Sequence, residues 1–112
     1  MSAADRDEVH AAFRDAVNMT PKALEDWLGT EESQAVGQKD GDGESIGHEM
    51  GRRTVALLRA KKADLDDDDL AAMRKVTGYV HRHLAQRPTK EDVETSRWRY
   101  SLMNWGHDPL RD

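Results

Sequence analysis

Residues 65–87 read LDDDDLAAMRKVTGYVHRHLAQR, and this stretch predicts the longest helix of the chain. Its apolar residues recur every three or four positions, the spacing that places side chains on one face of an α-helix. These residues are Leu70, Met73, Val76 with Thr77, Val80 and Leu84. A helix of about twenty residues is roughly 30 Å long, the diameter of a small domain. We therefore expect the rest of the chain to pack around it.

Both ends of this helix carry residues that favour helix ends. Asp66 is the predicted N-cap, and the aspartates at 67–69 fill the first turn, where the helix dipole favours negative charge. Basic residues fill the last turns, where the dipole favours positive charge. Pro88 cannot continue the hydrogen-bond ladder. The long helix is therefore predicted over about 66–87.

Two helices are predicted before it, near the N-terminus. Ser2 is a suitable cap for the first, whose apolar stripe ends at Val17. Thr20 is a suitable cap for the second, which Gly29 is expected to end. A further short turn is predicted over 30–37.

The middle of the chain combines a glycine-rich segment with a helix. Residues 37–44 begin with GQKDGDG, which has no apolar residue, and we predict a flexible internal loop there. Another helix is predicted over 45–62. Gly47 and Gly51 lie one turn apart in it, and Gly78 lies in the long helix, although each glycine costs about 1 kcal/mol of helix propensity relative to alanine. We expect the helices to cross tightly at these glycines.

The C-terminal part predicts one more helix, capped by Thr89 or Thr95, and an irregular tail over 107–112. Its apolar positions are Trp98, Leu102 and Trp105. Because no segment alternates with a period of two, we predict an all-α fold. The expected architecture is a compact single-domain bundle of four to five helices over residues 1–112.

The composition restricts the class of protein. The 112 residues include no cysteine, which excludes disulfides and thiolate metal sites. The longest strongly apolar run, residues 55–58, is far too short to span a bilayer, and the N-terminus has no signal-peptide pattern. We therefore expect a cytoplasmic protein.

The net charge of −5 is unevenly distributed. Residues 1–50 carry 4 Lys and Arg against 12 Asp and Glu, whereas residues 51–112 carry 13 against 10. Two interpretations are open. Either the protein has a cationic surface on an acidic body, or its two halves neutralise each other across the fold.

The basic residues of the second half suggest a surface for nucleic acid. On the long helix, the side opposite the apolar face carries Arg74, Lys75, Gly78, His81, Arg82 and Ala85. Residues 97–100, Arg-Trp-Arg-Tyr, alternate cations with rings, as phosphate and base contacts would need. The alternative is a solvated face with a buried tryptophan under arginine stems. The candidate phosphate contacts are Arg74, Lys75, Arg82, Arg87, Arg97 and Arg99.

The aspartates at 66–69 limit how such a surface could meet DNA. Inserting the long helix into the major groove with its N-terminus first, as in a helix-turn-helix, would press these carboxylates against phosphates. The contact is therefore expected on the C-terminal half of this helix and on the helix that contains 97–100. Such binding would be strongly salt-dependent and would read little sequence.

Metal binding is not supported by the spacing of the possible ligands. Asp64, Asp66 and Asp68 resemble the opening of a calcium loop, but Asp69 stands where that loop needs glycine and Lys75 where it needs a bidentate glutamate. We predict no metal and no cofactor.

Catalysis is not supported either. His81 and His83 point about 200° apart on a helix and cannot share one ion. His48 beside Glu49 could act in acid–base chemistry, but such a pair is more often a solvated or capping feature. An enzyme would need a pocket that collects His48, Glu49, His81 or His107. We predict that the protein is not an enzyme.

Three strings, SIGHEMGRR (45–53), RKVTGYVHRHLAQRP (74–88) and RWRYSLMNWGHDP (97–109), resemble a small bacterial family of unknown function whose members are often labelled "DNA-binding protein". The likeness spans roughly residues 9–110. It implies an association with DNA, and it assigns no catalytic or ligand residues. The predicted function is thus a small DNA-associated protein. The alternative is a protein-interaction module or a homodimer, in which the acidic half of one chain meets the basic half of a partner.

Overall fold

The structure, a computed structural model, describes residues 3–37, 46–89 and 92–111, apart from the side chains at 37, 46 and 47. Within these residues it contains six α-helices and no strand, so the predicted all-α class is confirmed. The helices are α1 (Ala3–Ala16), α2 (Pro21–Leu28), α3 (Glu31–Gly37), α4 (Ile46–Arg59), α5 (Asp67–Leu84) and α6 (Arg97–Asn104). Two 3₁₀ turns, Lys62–Asp64 and Val93–Thr95, precede α5 and α6. In the described part of the chain, no helix is long and apolar enough to cross a membrane.

The helix count exceeds the predicted four to five because the segment after Gly29 forms a helix of its own. Thr30 accepts a hydrogen bond from the Ser33 N–H at 3.2 Å and starts α3. Thr20 caps α2 as predicted, accepting from the Ala23 N–H at 3.1 Å. The flexible loop predicted over 37–44, beyond Gly37 itself, lies outside the described residues, as do the predicted cap residues Ser2 and Ser45.

The long helix α5 starts where the sequence places it. Asp66 accepts from the Asp69 N–H at 2.8 Å, and the Asp69 carboxylate accepts from the Asp66 N–H at 3.1 Å. This reciprocal capping box satisfies two N–H groups that have no partner inside the helix.

The same helix ends three residues before the predicted boundary at 87. Its last residue is Leu84, four positions before Pro88, which has no N–H to donate to the Leu84 carbonyl. The carbonyl of His83 accepts hydrogen bonds from the Trp98 indole N–H at 2.6 Å and from the Gln86 N–H at 3.0 Å. The next helix, α6, is capped by Ser96, which accepts from the Arg99 N–H, rather than by Thr89 or Thr95.

The core lies between α1, α4, α5 and α6. Helix α1 packs mainly on α5, α2 on α4 and α3 on α6. Trp98 and Trp105 are both buried, with 7% and 5% of their surface exposed, so both belong to the core. Tyr79 stacks on Trp105 with 4.1 Å between ring centroids and on His83 with 5.0 Å. Helix α5 therefore presents its apolar and aromatic side to the interior.

The predicted tight helix crossing is confirmed at Gly51. A Cβ atom there would lie 2.3 Å from the Asn104 carbonyl oxygen and 2.7 Å from Leu28 Cδ2, so α4 contacts α6 and α2 directly through this glycine. The prediction is wrong at Gly78, where a Cβ atom would meet only Arg82 Nη1, at 3.3 Å. The surroundings of Gly47 lie outside the described side chains.

Candidate nucleic-acid interface

The outer side of α5 carries basic side chains around Gly78. Residues three and four positions apart are neighbours on a helix surface. The four such neighbours of Gly78 are Arg74, Lys75, His81 and Arg82, and all four are exposed. We call these four residues the α5 basic face. Helical periodicity alone brings three of the predicted phosphate contacts together here. His81 also lies on this face, as its position in the sequence predicts, although it was not among the predicted phosphate contacts.

Ion pairing distinguishes this face from six of the other described lysines and arginines. Six ion pairs join described residues: Arg6–Asp67, Lys22–Asp26, Arg53–Asp69, Arg59–Glu25, Lys62–Asp7 and Arg99–Asp108. Arg74, Lys75 and Arg82 have no carboxylate partner among residues 3–37, 46–89 and 92–111. Both interpretations of the charge asymmetry therefore hold in part, since Lys62 and Arg59 neutralise acids of the first half while the α5 basic face stays unpaired.

The acidic start of α5 is largely occupied by the protein itself. Arg6 pairs with Asp67 at 3.1 Å, and Arg53 pairs with Asp69 at 3.0 Å. The hydrogen bond from the Asp66 N–H, together with Arg53, lowers the pKa of Asp69 despite partial desolvation. Asp67 and Asp68 nevertheless remain exposed beside the first turn. The exposed carboxylates of α5 thus lie in its first turn, and its first basic residue is Arg74.

Arg87 follows α5 by three residues, and Arg97 is the first residue of α6. The Arg87 guanidinium is 5.7 Å from the centroid of the Trp98 ring, and Arg97 Nη2 is 3.5 Å from the carbonyl oxygen of Val36 in α3. Both side chains are exposed.

The rings of residues 97–100 serve internal packing. Trp98 is buried and donates its indole N–H to His83, and Tyr100 packs on Trp27 with 5.2 Å between ring centroids. Arg87 lies over Trp98, as the alternative of a buried tryptophan under an arginine stem describes. Trp98 and Tyr100 therefore both pack against residues of the protein itself.

Arg99 is bound within the fold. Its Nε and Nη2 atoms donate to the two carboxylate oxygens of Asp108, both at 3.1 Å, and Nη1 donates to the Glu94 carbonyl at 2.7 Å. Its side chain is only 19% exposed. This bidentate geometry joins the start of α6 to the C-terminal segment. The Arg99 guanidinium is therefore engaged by Asp108 and the Glu94 carbonyl, unlike the cations of the α5 basic face.

The Arg99–Asp108 pair makes stability depend on pH. Burial alone would raise the pKa of Asp108, but the Arg99 guanidinium and the Leu110 N–H outweigh it and hold the pKa below the ordinary carboxyl value. A carboxyl with a lowered pKa in the folded state stabilises it above the unfolded pKa and loses this effect as the pH falls through the folded pKa. Asp108→Asn is thus expected to lower the free energy of unfolding by about 1–2 kcal/mol at neutral pH.

Urea unfolding at about pH 7, 5 and 3 measures this effect, and the difference between wild type and Asp108→Asn should shrink toward the acid end. Asp26→Asn is the matched control, because Asp26 pairs with Lys22 at 3.5 Å on an exposed helix surface. That change should cost under about 0.5 kcal/mol. A difference for Asp108→Asn that stays constant down to the lowest pH would contradict the role of this pair.

The histidines considered for catalysis contact backbone carbonyls or solvent. His48 lies 2.8 Å from the Leu28 carbonyl oxygen through Nε2, and His107 lies 2.7 Å from that of Ala16 through Nδ1. His81 is exposed on the α5 basic face. Burial lowers the pKa of His83, which stacks on Tyr79. Among the described residues, no three His, Asp or Glu side chains are arranged to hold a metal ion.

The described chain is thus a small all-α protein with an unpaired basic face on its longest helix. It belongs to a family of proteins of unknown function, DUF3140, whose family model matches residues 12–103. No curated protein matches the chain, and no solved structure matches it.

Proposed function

We propose that this protein is a non-enzymatic DNA-associated protein of the cytoplasm that binds the phosphate backbone through α5. The observation that carries the proposal is the contrast between paired and unpaired cations. Arg74, Lys75 and Arg82 are exposed on one helix face without a carboxylate partner among the described residues, whereas six other cations are paired. Unpaired cations release counterions from DNA without first breaking an internal ion pair.

The surface supports backbone contacts without sequence reading. The guanidinium groups can donate two hydrogen bonds to one phosphate, and Lys75 supplies a point charge. Arg87, which follows α5, and Arg97, the first residue of α6, are the other two exposed cations assigned to phosphate. With five phosphate contacts, the logarithm of the binding constant should fall with the logarithm of the salt concentration with a slope of about −4.5.

A salt titration tests this function. Fluorescence anisotropy of a labelled short duplex should show binding at about 50 mM NaCl that weakens about 500-fold by about 200 mM. The variant Arg74→Gln/Lys75→Gln/Arg82→Gln removes three of the five contacts. Its binding should be at least about tenfold weaker at low salt, with a slope near −1.8.

The matched control is Lys22→Gln/Arg59→Gln/Lys62→Gln, which changes the net charge equally. These three side chains are exposed but paired with Asp26, Glu25 and Asp7. We expect the control to bind DNA with nearly wild-type affinity. Absence of wild-type binding at low salt, or an equal loss in both triple variants, would refute the proposed interface.

A homodimer is the second candidate, favoured by the opposite charges on either side of one groove. Glu8 of α1 and Arg74 of α5 line a shallow groove whose floor is formed by Val9, Ala12 and Thr77. A two-fold arrangement would place Glu8 of each copy near the α5 basic face of the other. Light scattering that shows a dimer dissociating with salt, together with no DNA binding, would favour this function over the first.

A further inference from the structure

Gly78 occupies the centre of the α5 basic face. It is half-buried, and its neighbours one turn before and one turn after along the helix surface are all basic or titratable. These neighbours are Arg74, Lys75, His81 and Arg82. Because glycine has no side chain, a Cβ atom here would meet only Arg82 Nη1, at 3.3 Å. Gly78 also lines the groove between α1 and α5 together with Glu8 and Arg74, and we call this groove the hollow.

Packing inside the protein does not account for this glycine. At Gly51 a Cβ atom would collide with the Asn104 carbonyl, and Gly106 has a φ of +95° that favours glycine. At Gly78 a Cβ atom would touch only the far end of the flexible Arg82 side chain, at 3.3 Å. Alanine would fit there and would favour the helix by about 1 kcal/mol.

The two sides of the hollow carry different charges, so an anion is attracted to one side and repelled from the other. Gly78 lines the groove between α1 and α5, and Glu8 lies on the opposite side of that groove. A phosphate group is therefore repelled from the α1 side and attracted to the α5 side, where Lys75 and Arg82 are exposed without carboxylate partners among the described residues. A phosphodiester over Gly78 would be within reach of several donors at once.

We propose that Gly78 is the point of closest approach between this protein and DNA, where one backbone phosphate lies against the helix and is bonded by His81 and Arg82, while Arg74 and Lys75 contact neighbouring phosphates. This inference rests on the proposed function and specifies its geometry. Charge-assisted hydrogen bonds have N···O distances of about 2.7–2.9 Å. A methyl group at position 78 would therefore hold the phosphate too far out for the surrounding donors to reach it together.

The variant Gly78→Ala tests the position of the phosphate separately from DNA binding itself. We expect the variant to unfold at a higher urea concentration than wild type, yet to bind the labelled duplex about tenfold more weakly at about 50 mM NaCl. The salt slope should become less steep by about one, because one phosphate contact is lost. Because this substitution removes no charge, a loss of affinity would mean that the added methyl group keeps the phosphate away from the donors around position 78.

Ala71→Leu is the matched control. Ala71 is exposed on the same side of α5, about 10 Å along the helix toward its N-terminus and outside the α5 basic face. The control adds more bulk than alanine at 78 does, and it should bind DNA within about twofold of wild type.

Three results would overturn the inference. If Gly78→Ala binds DNA like wild type while Arg74→Gln/Lys75→Gln/Arg82→Gln does not, DNA binding stands and the phosphate position is wrong. If wild type binds no DNA, the proposed function and this inference both fall. If light scattering shows that wild type self-associates and Gly78→Ala does not, the occupant of the hollow is a second copy of the chain.

Discussion

Replacing Gly51 by alanine is expected to destabilise the fold by about 2 kcal/mol or more, because the new methyl group has no space. A Cβ atom at this position would lie 2.3 Å from the Asn104 carbonyl oxygen, a backbone atom, and 2.7 Å from Leu28 Cδ2. The clash can be relieved only if α4 moves away from α6. This movement would open the core around Leu102 and Trp105. Overpacking costs about 3 kcal/mol in such a case, and alanine returns about 1 kcal/mol of helix propensity.

Urea unfolding followed by tryptophan fluorescence measures this loss, since Trp98 and Trp105 are buried. Gly78→Ala is the matched control, because it makes the same substitution in a helix without a backbone collision. It should raise the free energy of unfolding by about 0.5–1 kcal/mol. A Gly51→Ala variant as stable as wild type would mean that α4 does not contact α6 through this glycine.

These two glycines show where sequence reasoning reaches its limit. Both interrupt amphipathic helices and gave the same expectation of a tight crossing, yet one lies against the Asn104 backbone and the other faces the charged side chains of α5. The difference depends on which helix lies across each position, and periodicity along one helix carries no such information.

The start of α5 and its division into two sides were predictable because their causes are local. The capping box uses Asp66 and Asp69, three residues apart, and the side on which Arg74 and Arg82 lie follows from the helical period. The same local pattern is sufficient to group Arg74, Lys75 and Arg82 at the candidate interface.

Contacts between residues distant in sequence were not predictable in this way. Trp98 donates a hydrogen bond to the His83 carbonyl, and the Arg99–Asp108 pair occupies a cation that the alternation of charge and aromaticity assigned to phosphate. Both outcomes depend on a partner that only the folded chain brings near. The hydrogen bonds of the Asn104 side chain are the largest set of such contacts that the sequence did not predict.

Asn104 connects three helices through its side-chain amide. It is 1% exposed, and its Oδ1 atom accepts hydrogen bonds from the Trp27 indole N–H at 2.8 Å and from the Ser33 hydroxyl. Its Nδ2 atom donates to the Ser33 carbonyl at 3.1 Å. Ser33 is itself fully buried. One amide thus satisfies polar groups of a half-buried tryptophan in α2 and of a fully buried serine in α3.

Asn104→Ala is therefore expected to lower the free energy of unfolding by about 3–4 kcal/mol, since it removes the acceptor of the Trp27 indole N–H and leaves the buried polar groups of Ser33 without this partner. Urea unfolding gives the loss directly. A double-mutant cycle with Ser33→Ala should show a coupling energy of about 1 kcal/mol or more, because the two side chains share a hydrogen bond.

Asn18→Ala is the matched control for this prediction. Asn18 also makes two amide hydrogen bonds, one to the Asp108 carbonyl and one from the Asp108 N–H, each 2.8 Å long. It is only half-buried, so water can replace the lost amide, and the cost should stay near about 1 kcal/mol. If Asn18→Ala and Asn104→Ala lower the free energy of unfolding equally, burial of the Asn104 contacts adds nothing to stability. If Asn104→Ala costs more than Asn18→Ala, but not when Ser33→Ala is also present, the extra cost comes from the hydrogen bonds between α3 and α6.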